Sequence, residues 1–375
     1  MIYLDYQATT PLAPEAREAM LPWLVGPEAM GFANPHSPHR PGRMAAAAIE
    51  IAREQVQQAI GLDGGSLAFT GSATEAINWA IKGTLEKAAP SRNRIVTVAT
   101  EHAAVLDTCE WLGKRGVEVT CLPVGSDGLL SLDTLKAALN DRVALVAVML
   151  VNNEIGVIQP VEEAARIAQA AGALMLCDAV QGLGRIEIPE GPDLVGVSAH
   201  KIYGPKGIGA LWMRKGAEPA PLIHGGGQEQ GLRSGTLSPA LCTGFGVAAK
   251  LASTQFEQDR EHVEALWNAI MPELDGWIVN GSTDLRYRGN LNIRRENIDA
   301  ARLIGDLRDI AFSLGSACAS GSGRPSHVLR AIGLSDREAR SSIRLGFGRY
   351  TSKAELVGAI RRINEAAEAQ ERFAA

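Results

Sequence analysis

Cysteine is scarce in this chain, with five among 375 residues. That excludes a disulfide-built secreted domain, and an odd count leaves at least one thiol unpaired. Aromatic residues make up 5% and no basic run occurs. With a net charge of −5, nucleic acid is not expected as a direct partner. Long apolar runs are missing too. The longest, Val143–Val151, is far too short to span a bilayer and reads as a strand buried on both faces. Met1–Thr10 lacks a basic start followed by an apolar stretch, so no signal peptide is expected. These absences point to a cytoplasmic protein without a membrane partner, whose thiols are buried or reactive rather than bridged.

What is present is ordinary for a globular protein: 46% hydrophobic and 21% charged residues. The length suits two domains. The middle of the chain alternates strand and helix patterns. Strands are expected at Leu67–Thr70, Ile95–Thr100, Val117–Leu122, Ala144–Val151, Ala173–Asp178, Leu194–Ser198 and Gly209–Met213. Helices are expected at Glu75–Lys87, Ala104–Lys114, Leu132–Leu139 and Glu162–Ala170. The alternation predicts an α/β fold whose mostly parallel sheet carries helices on both faces. After about residue 240 the pattern changes. A long polar helix over Ala240–Met271 is followed by strands near Trp277–Asn280 and Asn290–Ile293 and helices at Ala300–Arg308 and Ala354–Ala367. This reads as a smaller α+β domain. Ala45–Ala48 reads as a piece of helix, and Gly315–Gly323 as a loop rich in small residues.

Three segments carry chemistry. Ser198-Ala199-His200-Lys201 ends a buried strand, where open α/β sheets bind ligands. A partly desolvated lysine there has a lowered pKa and an amine ready for a Schiff base, although an isolated His-Lys pair also suits a surface turn. Asp178 ends another strand, with Gln181 three residues on. A carboxylate in that place can keep a pyridine nitrogen protonated, and it can equally cap a helix. Thr70-Gly71-Ser72-Ala73-Thr74-Glu75 follows a strand and opens a helix. It suits a phosphate cradle or a plain capped helix start, and it lacks the lysine of a nucleotide loop.

From end to end the chain resembles the NifS/IscS-type cysteine desulfurases, pyridoxal-phosphate enzymes of the class V aminotransferase fold. The resemblance runs through Asp5–Pro11, Asn34-Pro35 to Arg43, Ala73–Glu75, Glu101-His102, Asn152–Gly156, Asp178 with Gln181, and Ser198–Gly207. It continues through Gly225–Gly227, Arg233–Thr236, Ser316–Cys318 and Ser342–Arg344. It implies a fold-type-I transferase with a seven-stranded large domain over residues 15–255. Residues 1–14 and 256–375 would form the small domain, which carries the catalytic cysteine loop.

The implied roles follow residue by residue. Lys201 would hold the cofactor covalently, Asp178 would pair with its ring nitrogen, and Gln181 would contact its ring oxygen. His102 would stack on the ring and take part in proton transfer. Ala73, Thr74, Ser198 and His200 would hold the phosphate, and Thr236 would reach the phosphate of a second subunit, which implies a homodimer. Asn153 and Arg344 would bind the carboxylate of L-cysteine. Cys318 would attack the substrate sulfur and keep it as a persulfide, releasing alanine. The sulfur would pass to an acceptor protein, either an iron–sulfur scaffold or a tRNA-thiolation relay. Selenocysteine lyase and other class V enzymes are the alternatives.

Some positions depart from the family pattern. Gln7 replaces a usual Ser or Asn, Gly71-Ser72 reverses the usual order, and Gln230 stands where a basic residue is common. The end of the chain at Ala375 is early for the housekeeping type, so the acceptor stays open. Lys206 reads as an exposed turn residue. Cys109, Cys121, Cys177 and Cys242 read as core thiols. His36 and His39 have no accompanying zinc-spaced cysteine pair, and no metal is expected.

Overall fold

The computed structural model describes residues 1–315 and 325–374. Its central sheet has the spatial order Gly65–Thr70, Gly209–Arg214, Leu194–Ser198, Leu174–Asp178, Val143–Met149, Arg94–Val98 and Glu118–Leu122. Gly209–Arg214 runs antiparallel to both neighbours, and the remaining pairings are parallel. This is the expected mostly parallel α/β sheet. Val143–Met149 is buried along its whole length, as its unbroken apolar run requires. Apolar cores lie on both faces. One gathers Val146, Val148, Val195 and Trp212; the other gathers Ile95, Leu145, Leu176 and Leu211. Alternation along each strand sends successive side chains to opposite cores.

Helices cover the first core, two of them packed on each other. Arg40–Ile60 begins where His39 Nδ1 accepts from the Gly42 N–H, and it ends at Gly61 in the left-handed region (φ 76°). The sequence had marked Ala45–Ala48 of this helix, and His39 serves as its cap. Pro239–Thr254 packs against it.

The expected single polar helix over Ala240–Met271 is instead two helices, Pro239–Thr254 and Phe256–Ile270, broken at Gln255. The break has a local cause. Ser253 and Thr254 donate back to the carbonyls of Ala249 and Leu251, which competes with helix propagation. The first helix is apolar and buried; only the second has a polar face. The helix expected at Ala354–Ala367 is longer, Lys353–Ala374.

A second sheet lies beyond residue 277, in the order Ser313–Leu314, Ser342–Gly346, Asn290–Arg294 and Ile278–Val279, all antiparallel. It shares a core with the last helix through Leu291, Ile293, Ile343, Leu345, Leu356 and Ile360. The N-terminus belongs to this layer: Ile2–Tyr3 pairs with Ile310–Ala311, and Leu4 enters the same core. From there residues 5–13 cross to the large sheet as a strap.

Of the four expected core thiols, Cys109, Cys177 and Cys242 are buried and Cys121 is exposed. Cys121 lies on the edge strand Glu118–Leu122, where alternation buries Leu122 and turns its neighbour out.

Candidate functional site

The carboxyl ends of the parallel strands open into a cavity of about 580 Å³. That lies within the range of small-molecule sites, about 300–1,000 Å³. Leu174–Asp178 and Leu194–Ser198 are paired neighbours, with Asp178 opposite Gly196. A single 3-10 turn, Ala199–Lys201, then brings Lys201 to the same cavity as Asp178. Ala73, Thr74, His102, Asn153, Gln181, Ser198, His200 and Arg344 line it as well.

The strap forms part of the wall. Lys201 Nζ donates to the main-chain oxygens of Gln7 (2.6 Å) and Ala8 (2.7 Å). Gln181 Nε2 donates to the same Gln7 oxygen at 2.9 Å. Thr10 N and Thr10 Oγ1 both donate to the His200 carbonyl, and Thr9 Oγ1 contacts His200 Nδ1. Arg185 donates to Gln181 Oε1 and to the Lys201 carbonyl, which fixes the Gln181 amide and the turn together.

Electrostatics follow from burial. Asp178 is buried, and its Oδ1 accepts from Val180 N at 3.0 Å. Burial raises its pKa, while His102, the Val180 N–H and Lys201 pull the other way. Burial likewise lowers His102. Its Nδ1 accepts from Ala104 N at 3.1 Å, capping the helix Ala103–Gly113, so the neutral ring carries its proton on Nε2. Beside it, Glu101 is buried with Oε1 accepting from Met149 N at 2.6 Å and Oε2 without a hydrogen-bond partner among the described residues. Burial holds this carboxyl well above the usual range. His200 is pushed down to about 4, chiefly by burial and then by nearby cations.

The turn between Gly65–Thr70 and the helix Ala73–Lys87 forms a cradle. Thr70 Oγ1 donates to Ser72 O, and Ser72 Oγ accepts from Glu75 N, which caps the helix at the point where Ala73 and Thr74 line the cavity. Gly209 passes very close. A Cβ there would sit 2.6 Å from Ala73 N and 2.8 Å from Val197 O. Only glycine lets the antiparallel strand lie against the cradle.

Arg344 arrives from the second sheet and is fully buried. It donates to Asp5 Oδ1 (2.7 Å) and to the main-chain oxygen of Asn153 (3.0 Å), and its Nε has no partner among the described residues. Asn153 is set by its neighbour. Asn152 Oδ1 accepts from the N–H groups of Glu154 and Ile155, and Asn152 Nδ2 donates to Thr100 O.

Two expected site residues are not gathered here. Thr236 is exposed and does not line the cavity of its own chain. Cys318 lies outside the described residues. Lys206 is exposed, as expected, at the cavity rim. Sequence reasoning assigned no part to the Gln7 and Ala8 carbonyls, Arg185, Glu101 or Asp5. Main-chain carbonyls carry no residue signal. An acid beside His102 and an Arg four residues after Gln181 were the available hints.

A site at the carboxyl edge of a mostly parallel sheet, with a lysine and a carboxylate on adjacent strands, defines a class. The family model of Aminotransferase class-V matches residues 2–357, and the chain belongs to that family. Its place within the family is among the cysteine desulfurases. It is 45% identical over 365 residues to Cysteine desulfurase IscS of Rickettsia akari (strain Hartford), covering 95% of this chain and 88% of that one. The counterpart in Rickettsia bellii (strain OSU 85-389) is 44% identical over 372 residues, covering 96% and 90%. Among solved structures, a NifS-like protein superposes with a TM-score of 0.90 at 32% identity, over 98% of this chain and 99% of that one. A structure described as SspA in complex with cysteine gives 0.81 at 36% identity, over 94% and 100%.

Proposed function

We propose that this enzyme converts L-cysteine to L-alanine with pyridoxal phosphate and that Cys318 takes the sulfur as a persulfide. The observation that carries the reading is the single cavity holding Lys201, Asp178 and Arg344. The donor set fits the cofactor. Asp178 is a buried carboxylate suited to a protonated ring nitrogen, Gln181 lines the same cavity, and the glycine-spaced cradle at Ala73 suits a phosphate. Bound pyridoxal phosphate supplies an electron sink for charge developing at the substrate α carbon.

The chain's own residues do the rest. Lys201 holds the cofactor covalently and serves as base for the substrate α proton. Ala73, Thr74, Ser198 and His200 hold the phosphate, and the low pKa of His200 makes it a neutral donor there. His102 lines the same cavity and would lie against the ring, with Nε2 as the nitrogen placed to move protons. Arg344 and Asn153 bind the substrate carboxylate, a group that suits the guanidinium fork. The Cys318 thiolate would form an S–S bond as the substrate C–S bond breaks; the electron pair stays with the β carbon, which takes up a proton and becomes the methyl of alanine.

This reading includes a homodimer, because Thr236 is exposed, does not line its own cavity, and would meet the phosphate bound by a second copy. It also includes two units, residues 15–255 and residues 1–14 with 256–375. A cytoplasmic setting belongs to it, since a thiol nucleophile must stay reduced. The product sulfur would go to an acceptor protein for iron–sulfur cluster assembly or thiolation. The Cys318→Ser variant tests the reading. It should keep the visible absorption of bound cofactor while forming neither persulfide nor sulfide from cysteine. Full turnover in that variant would remove Cys318 from the mechanism.

A further inference from the structure

Glu75 joins the cradle turn to the segment that begins at Arg233. Its carboxylate receives Arg233 in a fork, with Nε to Oε1 at 2.7 Å and the terminal nitrogen to Oε2 at 3.1 Å. The same Oε2 accepts from the Gly71 N–H at 2.7 Å. Gly71 is in the cradle turn, and Glu75 is on the first turn of the cradle helix. Arg233 opens the segment that ends at Thr236. Both side chains of the pair are under one-fifth exposed, so the pair is only partly screened by water.

The Arg233–Thr236 segment is unusually well tied for a stretch that ends in an exposed residue. Upstream, Glu229 accepts from Arg53 in a second fork and from the Phe69 N–H at 2.7 Å. Glu229 and Gln230 both occupy the left-handed region, at φ 50° and 58°, which non-glycine residues adopt only when surroundings hold them there. Gln228 Oε1 accepts from Gly235 N, and Ser234 Oγ accepts from Gly227 N. The segment is therefore fixed before any partner arrives. A preorganised contact loses less entropy on binding.

We infer that Glu75 is a positioning residue that links cofactor retention to pairing of two copies of this chain. The inference rests on the reading of the cavity as a pyridoxal-phosphate site completed by Thr236 of the partner subunit. A phosphate in the cradle orders the Gly71 turn. That turn shares its carboxylate with Arg233, and Arg233 sets the segment presented to the second copy. By reciprocity, pairing then tightens the hold on the cofactor by the same factor.

The test measures subunit exchange between two differently labelled pools of the full-length protein, with and without pyridoxal phosphate. In the wild type the cofactor slows exchange. In Glu75→Gln and in Arg233→Met that slowing factor should shrink roughly tenfold, within the usual range of coupling between sites. The double variant should be no worse than either single one, because both remove one shared interaction. Arg233→Lys, which keeps the charge but loses the fork, should fall between. Faster exchange by equal factors with and without cofactor would make Glu75 merely structural and overturn the inference, as would unchanged exchange. A wild-type protein that takes up no pyridoxal phosphate would overturn the underlying reading instead, and this shows in its absorption spectrum before any exchange is measured.

Discussion

The Nζ of Lys201 lies 2.6 Å from the main-chain oxygen of Gln7, a residue 194 positions earlier in the chain. The lysine that would carry the cofactor is thereby held by the strap that leads back to the second sheet. Its two carbonyl partners would receive an arginine as well as a lysine. Lys201→Arg is therefore expected to fold and keep the strap in place. It should show no visible absorption from covalently held cofactor and no alanine release from cysteine, because a guanidinium does not form the imine. Retained turnover in this variant would rule out Lys201 as the attachment point.

Asp178 is a carboxylate in a setting that favours its neutral form, chiefly through burial. Asp178→Asn removes that burden while keeping the shape. The cofactor-free variant is expected to melt no lower than the wild type. Turnover should fall by about 10²–10³, the usual cost of removing a single preorganised electrostatic contact. Thermal melts and steady-state kinetics read the two effects separately. A lower melting temperature with unimpaired turnover would mark Asp178 as structural.

Gly209→Ala would force a methyl group to 2.6 Å from Ala73 N and 2.8 Å from Val197 O, both main-chain atoms. Overpacking of this kind costs about 1–3 kcal/mol. The strand must move away from the cradle, so pyridoxal-phosphate affinity should fall together with stability. Denaturant unfolding and a fluorescence titration measure the pair. Unchanged cofactor affinity would mean that the cradle at Ala73 is not the phosphate site.

The sign of the pH dependence follows from His200, whose pKa is lowered from 6.5 to about 4 by burial. As pH falls below 6.5, the unfolded chain takes up a proton that the folded chain refuses. The contribution of His200 to stability is whole above pH 6.5 and is lost as pH falls toward 4. His102 acts in the same direction. Because buried Asp178 and Glu101 pull the other way, the test is a difference: between pH 7 and pH 5 the urea midpoint of the cofactor-free wild type should drop relative to that of His200→Asn. An equal drop in the variant would assign the effect elsewhere.

Much of the site could be read along the chain because its chemistry is local. Asp178 and Lys201 each follow a short apolar run, and a polar residue ending such a run lies at the sheet edge. The capped helix start that was one reading of residues 70–75 is present, with Ser72 accepting from Glu75 N. The break at Gln255 was missed because apolar spacing continues through it while Ser253 and Thr254 turn their hydroxyls back on the helix. The exposure of Cys121 was missed for a different reason. Its strand has good apolar spacing, but edge position is a property of sheet order.

Residue types and spacing determined by themselves the α/β class, the strand ends that face the site, and the set of groups with the right chemistry. Periodicity and capping act over a few residues, so a linear reading captures them. The tertiary structure decided what stands beside what. It placed the Gln7 and Ala8 carbonyls on Lys201, Asp5 on Arg344, and Glu75 between the cradle and Arg233. Those contacts join residues far apart in the chain. They form only when burial of two cores brings the strap, the sheet edge and the second sheet together.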